Sequence, residues 1–309
     1  MGLDKSYLEY PLRRYGMDHD RYDWSLMSER QPLVWPDNCK LAFWINISVQ
    51  FFPLNPESPQ PRPPGGMTMP YPDLRHFSLR DYGNRIGIYR ILDALEVRNI
   101  PASCAVNAQI TEYAPYLIQA LRDAGVDFLG HGLDMDTPHH SLSEAREREI
   151  IRQSVDSLSE ASRQDITGWI SPGRFESPVT PDLLSEAGIQ FFADWVNDDM
   201  PYIFKTRKKP LVSMPLPTEL EDRFVMLENL HSETSYGEQL KDAFEWMYND
   251  ATEENGRIFS LSIHPWVIGQ PHRIGVLENF LDYVCQHKGV WFAKPSEIVE
   301  IFNKQELIN

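Results

Sequence analysis

From residue 41 onward, short runs of apolar, β-branched and aromatic residues alternate with longer stretches whose apolar positions recur three and four apart. The first run, Leu41 to Phe52 (LAFWINISVQFF), predicts a buried strand closed by Pro53. Eight prolines from Pro53 to Pro72, with Gly65-Gly66, forbid a regular element, so 53–72 is expected to be a functional loop or a cover. Asp81 to Val97 then places Ile88, Ile91, Leu92 and Leu95 at helical spacing. Ala102–Val106 predicts a strand, Thr111–Ala124 a helix stopped by Gly125, and Val126–Leu129 a strand running into Gly130-His131-Gly132. Ser141 with Glu144 predicts a capping box before a helix carrying Ile150, Ile151, Val155 and Leu158. Ile166–Ile170 is the next expected strand, and Thr180 as N-cap with Pro181 opens a helix ended by Gly188. Strands at Ile189–Ala193, Leu211–Met214, Arg257–Ile263 and Val290–Phe292 follow, with helices at Tyr236–Tyr248, Ile274–Cys285 and Ser296–Phe302.

About eight strands alternating with helices predict an α/β chain with a parallel sheet of βαβ units. A dinucleotide-binding sheet would carry Gly-x-Gly-x-x-Gly after its first strand; none is present, which favours a barrel. Residues 1–38 lack periodicity and read as an N-terminal arm ending at Trp35-Pro36-Asp37-Asn38, leaving 39–309 as one domain.

Composition narrows the partners. The 309 residues carry 29 Lys+Arg against 45 Asp+Glu, a net charge of −16, which argues against nucleic acid or an anionic membrane surface. With 42% hydrophobic residues the chain has enough apolar material to fold around a core. Cys39, Cys104 and Cys285 are odd in number and widely spaced, so they are expected to be reduced packing residues. Met1–Tyr10 lacks an apolar signal core and no run approaches a membrane span, so a cytoplasmic protein is expected.

Barrel active sites assemble at the C-terminal ends of strands. Just past predicted strands stand His131, Ser171-Pro172-Gly173-Arg174, Asp194 to Asp199 and His264. Arg174 offers a permanently charged fork for a carboxylate or a developing oxyanion. Asp198 and Asp199 are expected to tune a histidine, and His264, fixed by Pro265, is the natural proton-transfer group. Trp195 and Trp266, with Phe51 and Phe52, are candidates to line a small pocket.

At these residues the chain resembles the polysaccharide deacetylase (NodB-type) superfamily, most closely the branch with metal-independent allantoinases and cyclic-amide or imide hydrolases. The likeness spans most of 39–302: LAFWINISVQFF, Gly130-His131-Gly132, Gly168–Arg174 with Ser177-Pro178-x-Thr180-Pro181, Asp194–Tyr202 and His264–Ile274, in the family's order. The resemblance implies an irregular (β/α) barrel of about seven parallel strands and a homo-oligomer, commonly a tetramer. It implies a hydrolase of carbon–nitrogen bonds other than peptide bonds, acting on a small cyclic amide, imide, ureide or acylated amine. His264, Asp198, Asp199 and Arg174 would be catalytic, and His131, Trp266 and Trp195 would bind substrate, His131 at its carbonyl. The chain departs from the family at its first motif, where Ser48-Val49-Gln50-Phe51 contains no carboxylate, and at Met135, where a second histidine is usual. A cofactor is therefore left open between none and zinc. A zinc-assisted N-deacetylase would have to recruit ligands among His131, Asp136, His139 and His140, with Asp134 nearby. A catalytically silent ligand-binding barrel is the third alternative.

Overall fold

The computed structural model describes residues 19–57 and 73–306. Met1–Tyr10 and most of the loop at 53–72 lie outside the described residues. The sheet is organised around β1 (Leu41–Val49). One edge of β1 pairs in parallel with β8 (Arg257–Ile263), from Leu41 against Arg257 to Ile47 against Ile263. The other edge is shared: β9 (Val290–Phe292) takes Leu41–Phe43, and β2 (Ser103–Val106) takes Asn46–Val49. From β2 the sheet continues in parallel through β3 (Asp127–Gly130), β4 (Gly168–Trp169), β5 (Phe191–Phe192) and β7 (Leu211–Ser213). It ends on β6 (Tyr202–Phe204), antiparallel to β7. Three residues behind a Met-Pro pair carry too short a pattern to have predicted β6.

The sheet curls into a half-barrel of mostly parallel strands. Among the described residues no ladder joins β8 to β6, the two ends of the strand path. The gap is crossed by Ser260 Oγ, which donates to Pro215 O at 2.7 Å.

The period-two alternation of β1 sorts its side chains. Leu41, Phe43, Ile45, Ile47 and Val49 face the outer helices, whereas Ala42 and Trp44 face inward. The outer layer comprises α1 (Leu74–Tyr82), α2 (Ile88–Glu96), α3 (Ile110–Tyr113), α4 (Pro115–Asp123), α5 (Glu144–Ser162), α6 (Thr180–Glu186), α7 (Glu233–Asp250), α8 (Ile274–Cys285) and α9 (Pro295–Glu306). Each longer helix lays an apolar stripe on the sheet, for example Ile88, Ile91, Ala94 and Leu95 of α2 and Leu277, Phe280, Leu281 and Val284 of α8.

Helix starts differ from the sequence reading. The N-cap of α5 is Ser143, whose hydroxyl accepts from Arg146 N, while Ser141 donates to Pro138 O in the preceding turn. Thr180 already lies within α6, and Val179 is its N-cap; the Thr180 hydroxyl is used instead between Ser177 N and Glu147. The single helix expected at 81–97 is α1 and α2 joined by a π-turn, Gly83–Gly87. A Cβ on Gly83 would meet Trp266 N at 2.6 Å, and one on Gly87 would meet Pro265 O at 2.1 Å. Two glycines thus let the helix pair press directly on the loop that follows β8.

The interior is graded along its axis. Ala42, Trp44, Leu129, Phe191, Val212 and Ile258 form an apolar plug. Beyond it runs a polar thread: Trp44 Nε1 donates to Ser103 Oγ at 2.8 Å, Ser103 Oγ to Asn46 Oδ1 at 2.9 Å, and Asn46 Nδ2 to Ser262 Oγ at 3.3 Å. Ser48 Oγ lies 3.4 Å from the same serine.

The described part of the arm packs on the barrel. Arg21 makes paired bonds of 2.9 Å to both oxygens of fully buried Asp182, and Trp35 Nε1 donates to Arg257 O at 2.9 Å, at the start of β8. Cys104 is buried and Cys39 half-buried, but Cys285 is exposed at the end of α8, so it is not a core residue. No helix among the described residues is long and apolar enough to cross a membrane.

Candidate active site

The polar thread opens onto the C-terminal strand ends. Gln50 follows β1 by one residue, Asn107 follows β2, His131 follows β3 and His264 follows β8; all four are buried. Asn107 sets the rim by accepting from Phe51 N at 2.8 Å and donating through Nδ2 to His131 O.

One carboxylate holds His264 at two points and the loop beyond it at a third. Asp222 Oδ1 accepts from the ring Nδ1 at 2.7 Å, and Oδ2 accepts from His264 N at 2.9 Å and Ile268 N at 3.2 Å. Asp222 is fully buried. The bond to Asp222 places the proton on Nδ1 and leaves Nε2 for chemistry.

This partner corrects the sequence reading, which assigned Asp198 and Asp199. Asp198 pairs with Arg30 of the arm at 2.6 Å and accepts from Met200 N at 3.0 Å. Asp199 feels the charge of Arg257, which begins β8, whereas His264 lies beyond the other end of that seven-residue strand. At about 3.3 Å per residue, the strand separates the two ends by roughly 20 Å. Both acids line a groove of about 870 Å³ between the arm and the 196–205 segment, which includes neither His131 nor His264. The signal lies one strand further on: Thr218 to Arg223 (TELEDR) follows the strand predicted at Leu211–Met214 and carries the acid that holds the histidine.

The same segment engages Arg174. Its guanidinium donates to Leu216 O at 2.6 Å and to Glu221 Oε1 at 2.7 Å. Consecutive acids, Glu221 and Asp222, thus serve Arg174 and His264. Arg174 adopts φ +58°, a left-handed conformation forced on it by the Pro172-Gly173 turn.

His131 donates no charge to the site. Burial, together with the nearby charges of His264 and Arg174, pushes its imidazole down to about 4, against the pull of its bond to Ile170 O. Nδ1 lies 2.7 Å from that carbonyl oxygen, and Nε2 is buried without a hydrogen-bond partner. That His131 feels the charge of His264 places the two imidazoles close together at one mouth.

Behind them lies fully buried His139, also pushed down to about 4 by burial and then by His131. Its Nδ1 is 3.7 Å from Glu147 Oε1, too long for a hydrogen bond. Burial holds Glu147 above the usual carboxylate range despite hydroxyl bonds from Ser177 and Thr180. Asp194 accepts from Ser171 N and Ser171 Oγ, both at 2.7 Å, and burial likewise raises it.

The aromatic candidates separate. Trp266 stands at the mouth, its ring 6.2 Å from that of His264 and its Nε1 donating to Gln50 Oε1 at 3.2 Å. Arg80 of α1 lies over Phe52 at 4.1 Å and over Trp266 at 6.0 Å, an addition to the rim that its helical position did not signal. Trp195 turns to the arm, packing on His19 and Tyr22 and donating to Glu176 Oε1 at 2.5 Å.

The recruited zinc set does not assemble. Asp136 accepts from Glu57 N at 2.5 Å, and the exposed His140 ring rests on Phe175. Among the described residues no three His, Cys, Asp or Glu side chains converge as a metal site. His131 and His139 are neighbours without a third donor.

This mouth belongs to a known architecture. Residues 81–192 match the polysaccharide deacetylase family model. A structure of Puue allantoinase is 25% identical, covers 96% of this chain and 98% of its own, and superposes with a TM-score of 0.79. A protein from Pseudomonas aeruginosa PAO1, described as a probable polysaccharide deacetylase, is 25% identical over 92% of this chain and 99% of its own, with a TM-score of 0.77. The peptidoglycan deacetylase of Helicobacter pylori is 23% identical over 256 residues, 72% of this chain and 86% of its own. The chain carries a polysaccharide deacetylase domain of the NodB type, recognised over residues 81–192 and similar along most of its length to deacetylases and an allantoinase.

Proposed function

We propose that the protein hydrolyses a carbon–nitrogen bond in a small cyclic amide, imide or ureide. The observation that carries the reading is the Asp222–His264 pair, with Nδ1 on the carboxylate at 2.7 Å, beside the buried acceptor of His131. Water attacks the carbonyl carbon, and His264 Nε2 takes its proton. Asp222 stabilises the imidazolium as it forms and fixes the tautomer that precedes it. The tetrahedral intermediate then expels nitrogen, and Nε2 returns the proton to it, so the ring opens with one water consumed. Arg174, already paired with Glu221, would turn its remaining N–H donors to the developing oxyanion. A closed ring suits this site, since Trp266, Phe52 and Arg80 crowd its rim. The allantoinase likeness supports the same substrate class.

The test is a panel of hydantoin, succinimide, glutarimide and allantoin assayed for ring opening, with N-acetylglucosamine assayed for acetate release. Turnover of at least one ring, abolished in His264→Ala and in Asp222→Asn, is expected. Acetate release alone would favour an N-deacetylase, as in the Helicobacter relative. No turnover of any compound would sink the hydrolase reading.

A further inference from the structure

Buried polar atoms without partners are rare, and each asks for an explanation. His131 Nε2 is one, in a residue only 3% exposed. Its character follows from the other ring nitrogen. Nδ1 lies 2.7 Å from Ile170 O, and a carbonyl oxygen can only accept, so Nδ1 carries the proton. A neutral imidazole protonated there presents a bare lone pair at Nε2. Such an atom repels a carbonyl oxygen and attracts an N–H or O–H. The role expected from the sequence, holding the substrate carbonyl, is therefore the one this nitrogen is least fitted for.

We infer that His131 Nε2 is a specificity element that accepts a hydrogen bond from a substrate N–H, restricting the enzyme to amides, imides or ureides whose nitrogen still bears hydrogen. The inference deepens the proposed hydrolase reading and rests on it. The surroundings fit the assignment. Asn107 Nδ2 holds the His131 carbonyl, so the residue is fixed at its backbone as well as at Nδ1. Arg174, the permanent donor at the same mouth, is then left for the carbonyl side of the substrate, while His264 Nε2 handles the proton. A secondary amide offers a hydrogen-bond donor and an acceptor on adjacent atoms, which is the complement of a bare imidazole nitrogen beside a guanidinium. A tertiary amide or a lactone ring would bury that lone pair against nothing, or against another lone pair, and a site built around one hydrogen bond rejects analogues that lack it.

Two measurements test this without requiring catalysis. Nitrogen NMR of histidine-labelled protein, with His131→Ala for assignment, is expected to show the His131 proton on Nδ1 and a bare Nε2. Calorimetry then compares pyrrolidinone with its ring-oxygen isostere butyrolactone, a molecule of nearly the same size without the N–H. The lactam is expected to bind wild-type protein about tenfold or more tightly than the lactone, and the preference should vanish in His131→Ala. Equal binding of the pair, binding of neither, or a proton on Nε2 overturns the inference. Absence of ring opening across the imide panel, with the lactam preference intact, would instead remove the hydrolase reading and leave the recognition standing.

Discussion

Asp222 accepts from three backbone amides (Arg223, His264 and Ile268) and one imidazole, so a single side chain both shapes the loop after β8 and sets the orientation of His264. Asp222→Asn keeps the shape but presents an amide to Nδ1, and an N–H turned toward that nitrogen selects the wrong tautomer. Ring opening should fall roughly a hundredfold to ten-thousandfold while circular dichroism stays unchanged. Asp198→Asn, on the arm side, should leave turnover intact and cost at most about 1 kcal/mol through loss of the Arg30 pair, read from a denaturant midpoint. Equal damage from both substitutions would reinstate Asp198 as the partner of the histidine.

A pH effect belongs to the same scale. His131 and His139 are held down to about 4 by burial, against about 6.5 in an unfolded chain. Both are neutral in either state above 6.5. As pH falls from there toward 4, the unfolded chain takes up protons that the folded one refuses, and stability is lost, on the order of 2 kcal/mol per histidine by pH 5. Asp194 and Glu147, raised by burial, act in the opposite sense, so the informative quantity is a difference. The fall in denaturant midpoint between pH 7 and pH 5 should be shallower in His139→Gln than in wild type; parallel curves would mean that His139 is not a buried neutral group.

Among the elements, those with long periodic patterns were legible. β1, β8, α7 and α8 lie within a few residues of their expected spans, because each buries a stripe or an alternating face that leaves a strong trace. β6 left none. Nor did the π-turn at Gly83–Gly87, since its cause is tertiary: the glycines are small so that the loop after β8 can sit against them. Site residues divide the same way. His131, Arg174 and His264 follow strands whose patterns were clear, whereas Asp222 lies in a segment without periodicity, eight residues past Met214 and some forty residues before the histidine it holds. Gly87→Ala tests the docking. Its methyl would need the space of Pro265 O, so a loss of about 1–3 kcal/mol in unfolding free energy is expected, with a drop in turnover as the His264 loop is displaced. A variant with wild-type melting and activity would show that the helix pair is not what seats the loop.

At the level of the whole molecule, the arm and the barrel are one packed unit. Arg21 neutralises Asp182, a fully buried carboxylate that also accepts from Arg207 N at 2.8 Å. Arg21→Ala removes the more buried of its two cationic partners. A cost of up to about 3 kcal/mol is expected, with faster proteolysis between residues 19 and 38 and slower cleavage of the rest. Uniform cleavage kinetics along the chain would mean that the arm is not docked through this pair. Net charge and strand–helix alternation made the class of molecule readable from the outset, but they could not show which end of the barrel the arm covers, because that depends on contacts between residues some 160 positions apart.

The sheet that curls without closing gives the protein a weak meridian. Elsewhere neighbouring strands are laced by repeated backbone bonds, but among the described residues the seam between β8 and the segment after β7 has no ladder: a serine hydroxyl crosses it at Pro215, and Asp222 crosses it at the rim through His264 and Ile268. A widening of the bowl would have to part it there, since every other neighbouring pair along the strand path is held by a ladder. Since the carrier of Asp222 leaves from β7 and the histidine it steadies leaves from β8, the catalytic couple is itself one of the clasps on that seam, so chemistry and closure share the same bonds.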